Sequence, residues 1–335
     1  MAKSKARVAL AVASKARRKE ERQGIGKQRD QKVAPRTLIK YKLAMERLLE
    51  WVLILYDDLP SDAEDMDQLL CRWGEYCWEE GEPKGYYADA LSATCFYLPR
   101  YKGEIPEAWS LLKVWNGLEL PARAAPLHPQ QLCALVGLSL HQGDVCLAAC
   151  LMVAFQGLLR TCEFLGLRKK DIIFHPGNLS ATLNLGLTKS GKRRGRPETL
   201  LLDDKVTLDL PCLAVGTLKA GEYVIGRTAP KFRKDFEELL KHLGLSGGDI
   251  KPYSLRRGGA THLFRETGNM SITAERGRWS SLQTARIYVD EAMAASNEAA
   301  MTVKQKALCA KYIRFYMISW HSMVVMDGLF IGLRP

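Results

Sequence analysis

The chain has 335 residues, of which 47% are hydrophobic, and a formal net charge of +12. That length allows two domains with cores of their own, and the composition excludes a disordered chain or a disulfide-rich miniprotein. The charge is uneven: residues 1–40 hold thirteen Lys or Arg against three Asp or Glu, so the rest of the chain is close to neutral.

A basic arm on a nearly neutral body suits a polyanion partner. A solubilising tail or an organelle transit peptide has the same composition. Residues 1–33 lack helical apolar periodicity and are expected to be a disordered arm. No secretory signal is visible, and the uncharged run from Phe315 to Met326 is too short to cross a bilayer. The nine cysteines form no C-x-x-C pair, and Cys146 and Cys150 have no His pair at ligand spacing. They read as buried reduced thiols, which suits a nuclear or cytoplasmic protein.

In "APRTLIKYKLAMERLLEWVLILYDDLP", Leu38, Tyr41, Leu48, Leu49 and Val52 recur at helical spacing, and Pro60 closes the segment. Further helices are expected near 62–80, 86–100 and 106–117. No strand-like alternation occurs, so residues 34–120 read as a small all-helical domain. "LPARAAPLHPQQLCALVG" is a linker running into a helix whose first turn takes Pro129. Helices follow at 129–140 and 144–160. The second is apolar nearly all round, as a helix in a domain core should be. "ATLNLGLTKS" then alternates, with Leu183, Leu185 and Leu187 on one face, and "ETLLLDD" returns after the basic turn "GKRRGRP". Helices resume near 229–243, 254–267, 271–277 and 280–295. The fold class is therefore mainly α with a small antiparallel β-sheet: an all-helical N-terminal domain, then an α+β domain over 125–295, then a C-terminal helix and tail over 296–335. The last stretch, "MISWHSMVVMDGLFIGLRP", fits no pattern beyond a packing strand or an extension.

Three segments hold residues capable of chemistry. In "GLLRTCEFLGLRKKDI", Arg160 ends an apolar helix and Glu163 follows three residues later, placed to orient it. A local capping ion pair explains the same two residues. In "LTKSGKRRGRP", Lys189 ends a strand and Lys192, Arg193, Arg194 and Arg196 crowd a turn. Such a turn repels itself unless an anion is near, and phosphate backbone is the natural counterion; a solvated loop is the other reading. In "KPYSLRRGGATHLF", Arg256 starts a helix in which Gly258, Gly259 and Ala260 permit close backbone packing. Trp279 lies 23 residues further on, and Tyr288 nine beyond that, in "GRWSSLQTARIYVDE".

Taken together, these segments resemble the catalytic domain of the tyrosine recombinases, the phage integrase and Xer/Cre-type family. "LLRTCE" supplies Arg160 and Glu163, "LTKSG" supplies Lys189, "YSLRR" supplies Arg256, "GRWSS" supplies Trp279 and "ARIY" supplies Tyr288. The closing phrase also resembles recombinases of eukaryotic mobile elements. The helical unit over 34–120 resembles the family's SAM-like core-binding domain in size, position and helicity. One position departs from the pattern: where the family has a histidine before the second arginine, this chain has Tyr253. A tyrosine hydroxyl can donate to a phosphate oxygen, but with a pKa of about 10 it is a poor proton shuttle near neutrality. His262, six residues beyond Arg256, reads as packing or support.

The resemblance implies a site-specific DNA recombinase acting through a 3′-phosphotyrosyl intermediate, with double-stranded DNA as partner and no cofactor. Tyr288 would be the nucleophile, Arg160 and Arg256 the phosphate clamps, and Lys189 the acid for the leaving 5′ oxygen. The four basic turn residues would contact DNA. The ester conserves the phosphodiester, so no ATP is implied, and the chain lacks a P-loop lysine motif or a convincing carboxylate cluster for paired metals. Joining two duplexes implies a homo-oligomer, a tetramer on DNA, with the C-terminal helix docking on a neighbour. The readings left open are a non-catalytic DNA-binding protein on the same scaffold and a type IB topoisomerase-like activity.

Overall fold

A computed structural model describes residues 15–25, 28, 32–55, 59–178, 180–188, 191, 195–216 and 218–331. The chain divides into two compact units, Leu10–Ala122 and Arg123–Pro335. No described helix is long and apolar enough to cross a membrane.

The first unit is all helical. Its first helix, α1 (Lys15–Ile25), falls within the arm expected to lack structure. Its residues are mostly good helix formers, and the Arg17–Glu21 pair, 3.1 Å apart one turn on, adds local support. None of its residues is buried, so no apolar stripe announced it. Four helices then build a core: α2 (Pro35–Leu55), α3 (Ala63–Glu79), α4 (Lys84–Tyr97) and α5 (Pro106–Leu118). Leu48, Trp51, Val52, Leu70, Trp73, Tyr87, Leu91 and Trp115 fill it. Buried Asp67 on α3 accepts the backbone N–H groups of Glu107 and Ala108 at 2.9 and 2.8 Å, so a carboxylate from one helix caps the start of another.

The second unit is built on α6 (Pro129–His141) and α7 (Val145–Gln156). Nine consecutive residues of α7, Leu147 to Phe155, are buried, so this helix lies in the middle of the unit. A four-residue helix, α8 (Thr161–Phe164), precedes a three-stranded antiparallel sheet in the order β1 (Ile172–Phe174), β2 (Ala181–Gly186) and β3 (Glu198–Leu202). Strand β1 is too short to show alternation and was not foreseen. Leu183 faces the core opposite Leu200 and half-buried Leu185 packs against the same core, whereas Leu187 lies beyond the end of the strand. The register shifts between Asn184 and Gly186, and Gly186 at φ +63° ends the strand.

The remaining helices are α9 (Lys205–Gly216), α10 (Ala229–His242), α11 (Ser254–Thr267), α12 (Met270–Gly277), α13 (Leu282–Arg286), α14 (Glu291–Ala299) and α15 (Val303–Ile331). The segment expected as one helix over 280–295 is two, with Tyr288 in the break. The C-terminal stretch that showed no pattern continues α15 to Ile331. Cys309, Tyr312 and Tyr316 on α15 are buried against α6. Gly137 makes the contact possible: a Cβ there would stand 1.9 Å from the carbonyl oxygen of Tyr312. Of the cysteines, Cys77, Cys150 and Cys309 are buried, whereas Cys162 is exposed.

Candidate active site

The site forms where α7 ends. The apolar run predicts a helix through to Arg160, but α7 stops at Gln156, and Leu158 takes a left-handed conformation at φ +46°. That turn aims the carbonyl groups of Gly157 and Leu158 sideways, at the negative end of the helix, where cations are favoured. Two guanidiniums take them. Arg256 Nη1 donates to Leu158 O, and Arg278 Nη1 donates to Gly157 O at 3.3 Å. Arg256 Nη2 also donates to Gly277 O at 2.6 Å.

Arg160 sits at the N-cap of α8, with Glu163 three residues on. The Glu163 carboxylate accepts the Arg160 backbone N–H at 2.8 Å and its Nη1 at 2.5 Å. The local capping pair is therefore real, but it is not the whole role of Glu163. The same carboxylate accepts Arg278 Nη2 at 2.6 Å and lies 3.9 Å from Arg256 Nη1. Arg278 Nε is 3.4 Å from Glu198 Oε2, and that oxygen accepts the Thr188 hydroxyl at 2.5 Å. Three guanidiniums from distant parts of the chain thus meet on two buried carboxylates. Burial, then the charges of Arg160 and Arg278, push the Arg256 pKa down to about 10, which still leaves it charged at neutral pH.

Helix α11 brings Arg256 there because its glycines let it approach closely. A Cβ on Gly258 would stand 2.1 Å from Leu127 O, a contact only glycine avoids. Arg257, next in the chain, is buried and turns the other way. Its guanidinium donates to Ala124 O, to Ile287 O at 3.4 Å and to Asp290 Oδ2 at 3.5 Å, holding the chain on both sides of Tyr288.

Tyr288 is half-buried in the break between α13 and α14. Its ring lies 4.3 Å from the Trp279 ring, centroid to centroid, and both rings cover the Arg256 guanidinium, at 5.5 and 4.7 Å. Arg256 is consequently 1% exposed, whereas the Arg160 side chain is 25% exposed. The Tyr253 hydroxyl donates to the Tyr288 hydroxyl at 2.5 Å. Burial opposes ionisation of Tyr288. The Tyr253 hydrogen bond, a weaker polar contact from Trp279, and the charges of Arg256 and Arg160 outweigh burial and hold that hydroxyl below the ordinary phenol value. The Trp279 contact falls short of hydrogen-bond geometry and leaves its indole N–H unsatisfied. Burial and donation to Tyr288 push the Tyr253 hydroxyl the other way, upward.

Of the residues singled out from sequence, Arg160, Glu163, Tyr253, Arg256, Trp279 and Tyr288 come together. Lys189, Lys192, Arg193 and Arg194 lie outside the described residues. Arg196 is exposed at the foot of the turn, where its backbone N–H donates to Gly191 O at 3.0 Å. His262 lies apart from the cluster: its ring packs 5.9 Å from Phe155 and borders a cavity of about 360 Å³ with His128, Thr261 and Arg265. Arg278, Arg257 and Glu198 were not foreseen. The signal at Arg278 was slight, a lone basic residue between Gly277 and Trp279.

Comparison with known proteins bears on the fold and the family. No curated protein matches the chain. A lambda integrase dimer bound to a COC′ core site resembles it with a TM-score of 0.53 at 15% identity, over 82% of this chain and 76% of that one. The Tn1549 transposon integrase in complex with transposon right end DNA gives 0.53 at 15%, over 85% and 98%. At such identities the likeness concerns the fold, which is that of the tyrosine recombinases. Residues 127–295, half of the chain, match the phage integrase family, and the chain belongs to that family.

Proposed function

We propose that the protein is a site-specific DNA recombinase that cleaves and rejoins DNA through a phosphotyrosyl ester on Tyr288. The observation that carries this reading is the convergence of Arg160 and Arg256 on Glu163, with a single phenol of lowered pKa over one of them. Phosphoryl transfer builds negative charge on the non-bridging oxygens, and fixed guanidiniums stabilise it without needing to change protonation. Arg160 faces the open side and meets the phosphate first. Arg256 joins when the Tyr288 ring lifts from it.

The Tyr288 oxygen then bonds to phosphorus as its proton passes to solvent water, the bond from phosphorus to the 5′ oxygen breaks, and that oxygen departs with a proton from Lys189. The role of Lys189 comes from the resemblance alone. Tyr253 supports Tyr288 by donating to its hydroxyl, in place of the histidine of the family pattern. The basic turn of Lys192, Arg193, Arg194 and Arg196 holds the DNA backbone, as does the arm at 1–33, and residues 34–120 act as the core-binding domain. His262 serves as packing. Strand exchange joins two duplexes, so protomers assemble on DNA, as a tetramer, with the C-terminal helix docking on a neighbour.

Incubation with a nicked, labelled duplex followed by denaturing electrophoresis tests the reading. The chain should form a covalent adduct, and Tyr288→Phe should abolish it while leaving DNA binding intact. Adduct surviving that substitution refutes the assignment. Salt-dependent binding without adduct on any substrate favours a non-catalytic scaffold, and relaxation of supercoiled plasmid by the monomer favours topoisomerase-like activity.

A further inference from the structure

The reaction assigned above leaves Arg278 without a part, although it is the most heavily tied guanidinium of the cluster. It stands at φ +58°, a left-handed conformation that favours glycine, and its side chain is 5% exposed. From that strained turn it reaches three elements. Nη2 donates to Glu163 Oε2 below the phosphate clamps, Nη1 to Gly157 O at the end of α7, and Nε lies against Glu198 Oε2 on β3. It directly precedes Trp279, whose ring covers Arg256.

The Glu163 carboxylate is the shared element. One oxygen is taken by Arg160 Nη1. The other accepts the Arg160 backbone N–H and Arg278, with Arg256 Nη1 standing off at 3.9 Å. We infer that Arg278 is a positioning residue for strand transfer: by occupying Glu163 Oε2 it keeps Arg256 on its two carbonyl acceptors, and by reaching Glu198 it ties the β2–β3 hairpin to the turn before Trp279. This inference rests on the recombinase reading. Without Arg278, Glu163 Oε2 draws Arg256 inward, away from where it would meet a phosphate, and the hairpin is no longer tied to the nucleophile segment. A lysine preserves the charge but lacks the planar fork that serves Glu163 and Glu198 together.

The test compares Arg278→Lys and Arg278→Gly with the wild-type full chain. Glycine relieves the backbone at φ +58°, so the second variant removes the side chain without adding strain. Four quantities are read: the thermal melt, the affinity for duplex DNA, orthovanadate affinity by calorimetry, and the rate of adduct formation on a nicked duplex at saturating DNA. The Lys variant should melt near the wild type and bind DNA equally, yet bind vanadate about tenfold more weakly and form adduct about 100-fold more slowly. A Lys variant with wild-type vanadate affinity and adduct rate overturns the inference, because Arg278 then only balances buried charge. Should the Lys variant fail to fold, the Gly variant decides. Vanadate binding that is lost and then restored by added methylguanidinium supports positioning, and undiminished binding overturns it. A wild-type chain that forms no adduct refutes the recombinase reading, while the vanadate comparison still decides the role of Arg278.

Discussion

Tyr253→Phe removes one oxygen and leaves the ring that packs 5.7 Å from Tyr288. The lost group is the donor to the Tyr288 hydroxyl at 2.5 Å. That bond strengthens as the Tyr288 oxygen gains negative charge, so its loss falls on the transition state more than on the resting site. A hydrogen bond to a charged group contributes about 1.5–3 kcal/mol. Tyr253 is 41% exposed, so water replaces part of it and the lower end applies. About 1.5 kcal/mol corresponds to roughly tenfold in rate. The sign of the pH effect follows from the same bond. Donation by Tyr253 helps hold Tyr288 below the ordinary phenol value, so removing it raises the Tyr288 pKa and moves the rising limb of the pH–rate profile to higher pH. Single-turnover adduct formation on a nicked duplex, followed across pH at saturating DNA, measures both effects. A Phe variant with the wild-type rate and an unmoved limb would show that Tyr253 does not act on the nucleophile.

Tyr253→His should restore the family's residue and add a titration near pH 6.5 to the same profile, the range in which an imidazole changes charge. Glu163→Gln should lower unfolding free energy in a denaturant titration by about 3–5 kcal/mol, because it uncouples buried guanidiniums from their shared acid. Gly258→Ala should lower stability by about 1–3 kcal/mol, since the added methyl meets the Leu127 carbonyl. Arg257→Gln should slow adduct formation while leaving Arg256 in place, and a nicked-substrate assay with saturating DNA reads it.

Helices α2 to α5 of the first unit were legible because each buries a stripe at helical spacing, as Leu48 and Val52 do on α2. The site residues were legible through a pattern of motifs, not through periodicity: nothing local in "LLRTCE" says that Arg160 meets Arg256, nearly a hundred residues away. What sequence could not give depends on backbone turns. Helix α7 ends three residues before the notional limit of its apolar run because Leu158 turns left-handed, and no residue type there announces it. The same holds for Arg278, whose left-handed turn sends its side chain inward. Tyr288 looked helical because its neighbours are good helix formers, but Asp290 caps a new helix by accepting the Met293 N–H at 3.0 Å and breaks the run just beyond it.

The charge balance of the cluster leads to a last prediction. Among the described residues, Arg160, Arg256 and Arg278 meet Glu163 and Glu198, leaving one positive charge in excess. Holding like charges together away from water costs free energy, and an anion that binds only the folded state offsets it. By mass action such an anion stabilises the fold by about 2.7 kcal/mol at 100 times its dissociation constant. Duplex DNA should therefore raise the melting temperature, and the rise should shrink as salt is added, because phosphate contacts release counterions. Arg160 lies on the accessible side of the cluster, so Arg160→Gln should reduce the rise produced by a short nicked duplex. A rise that resists salt and survives loss of Arg160 would mean that DNA binds elsewhere and that the three arginines are only an internal ion network.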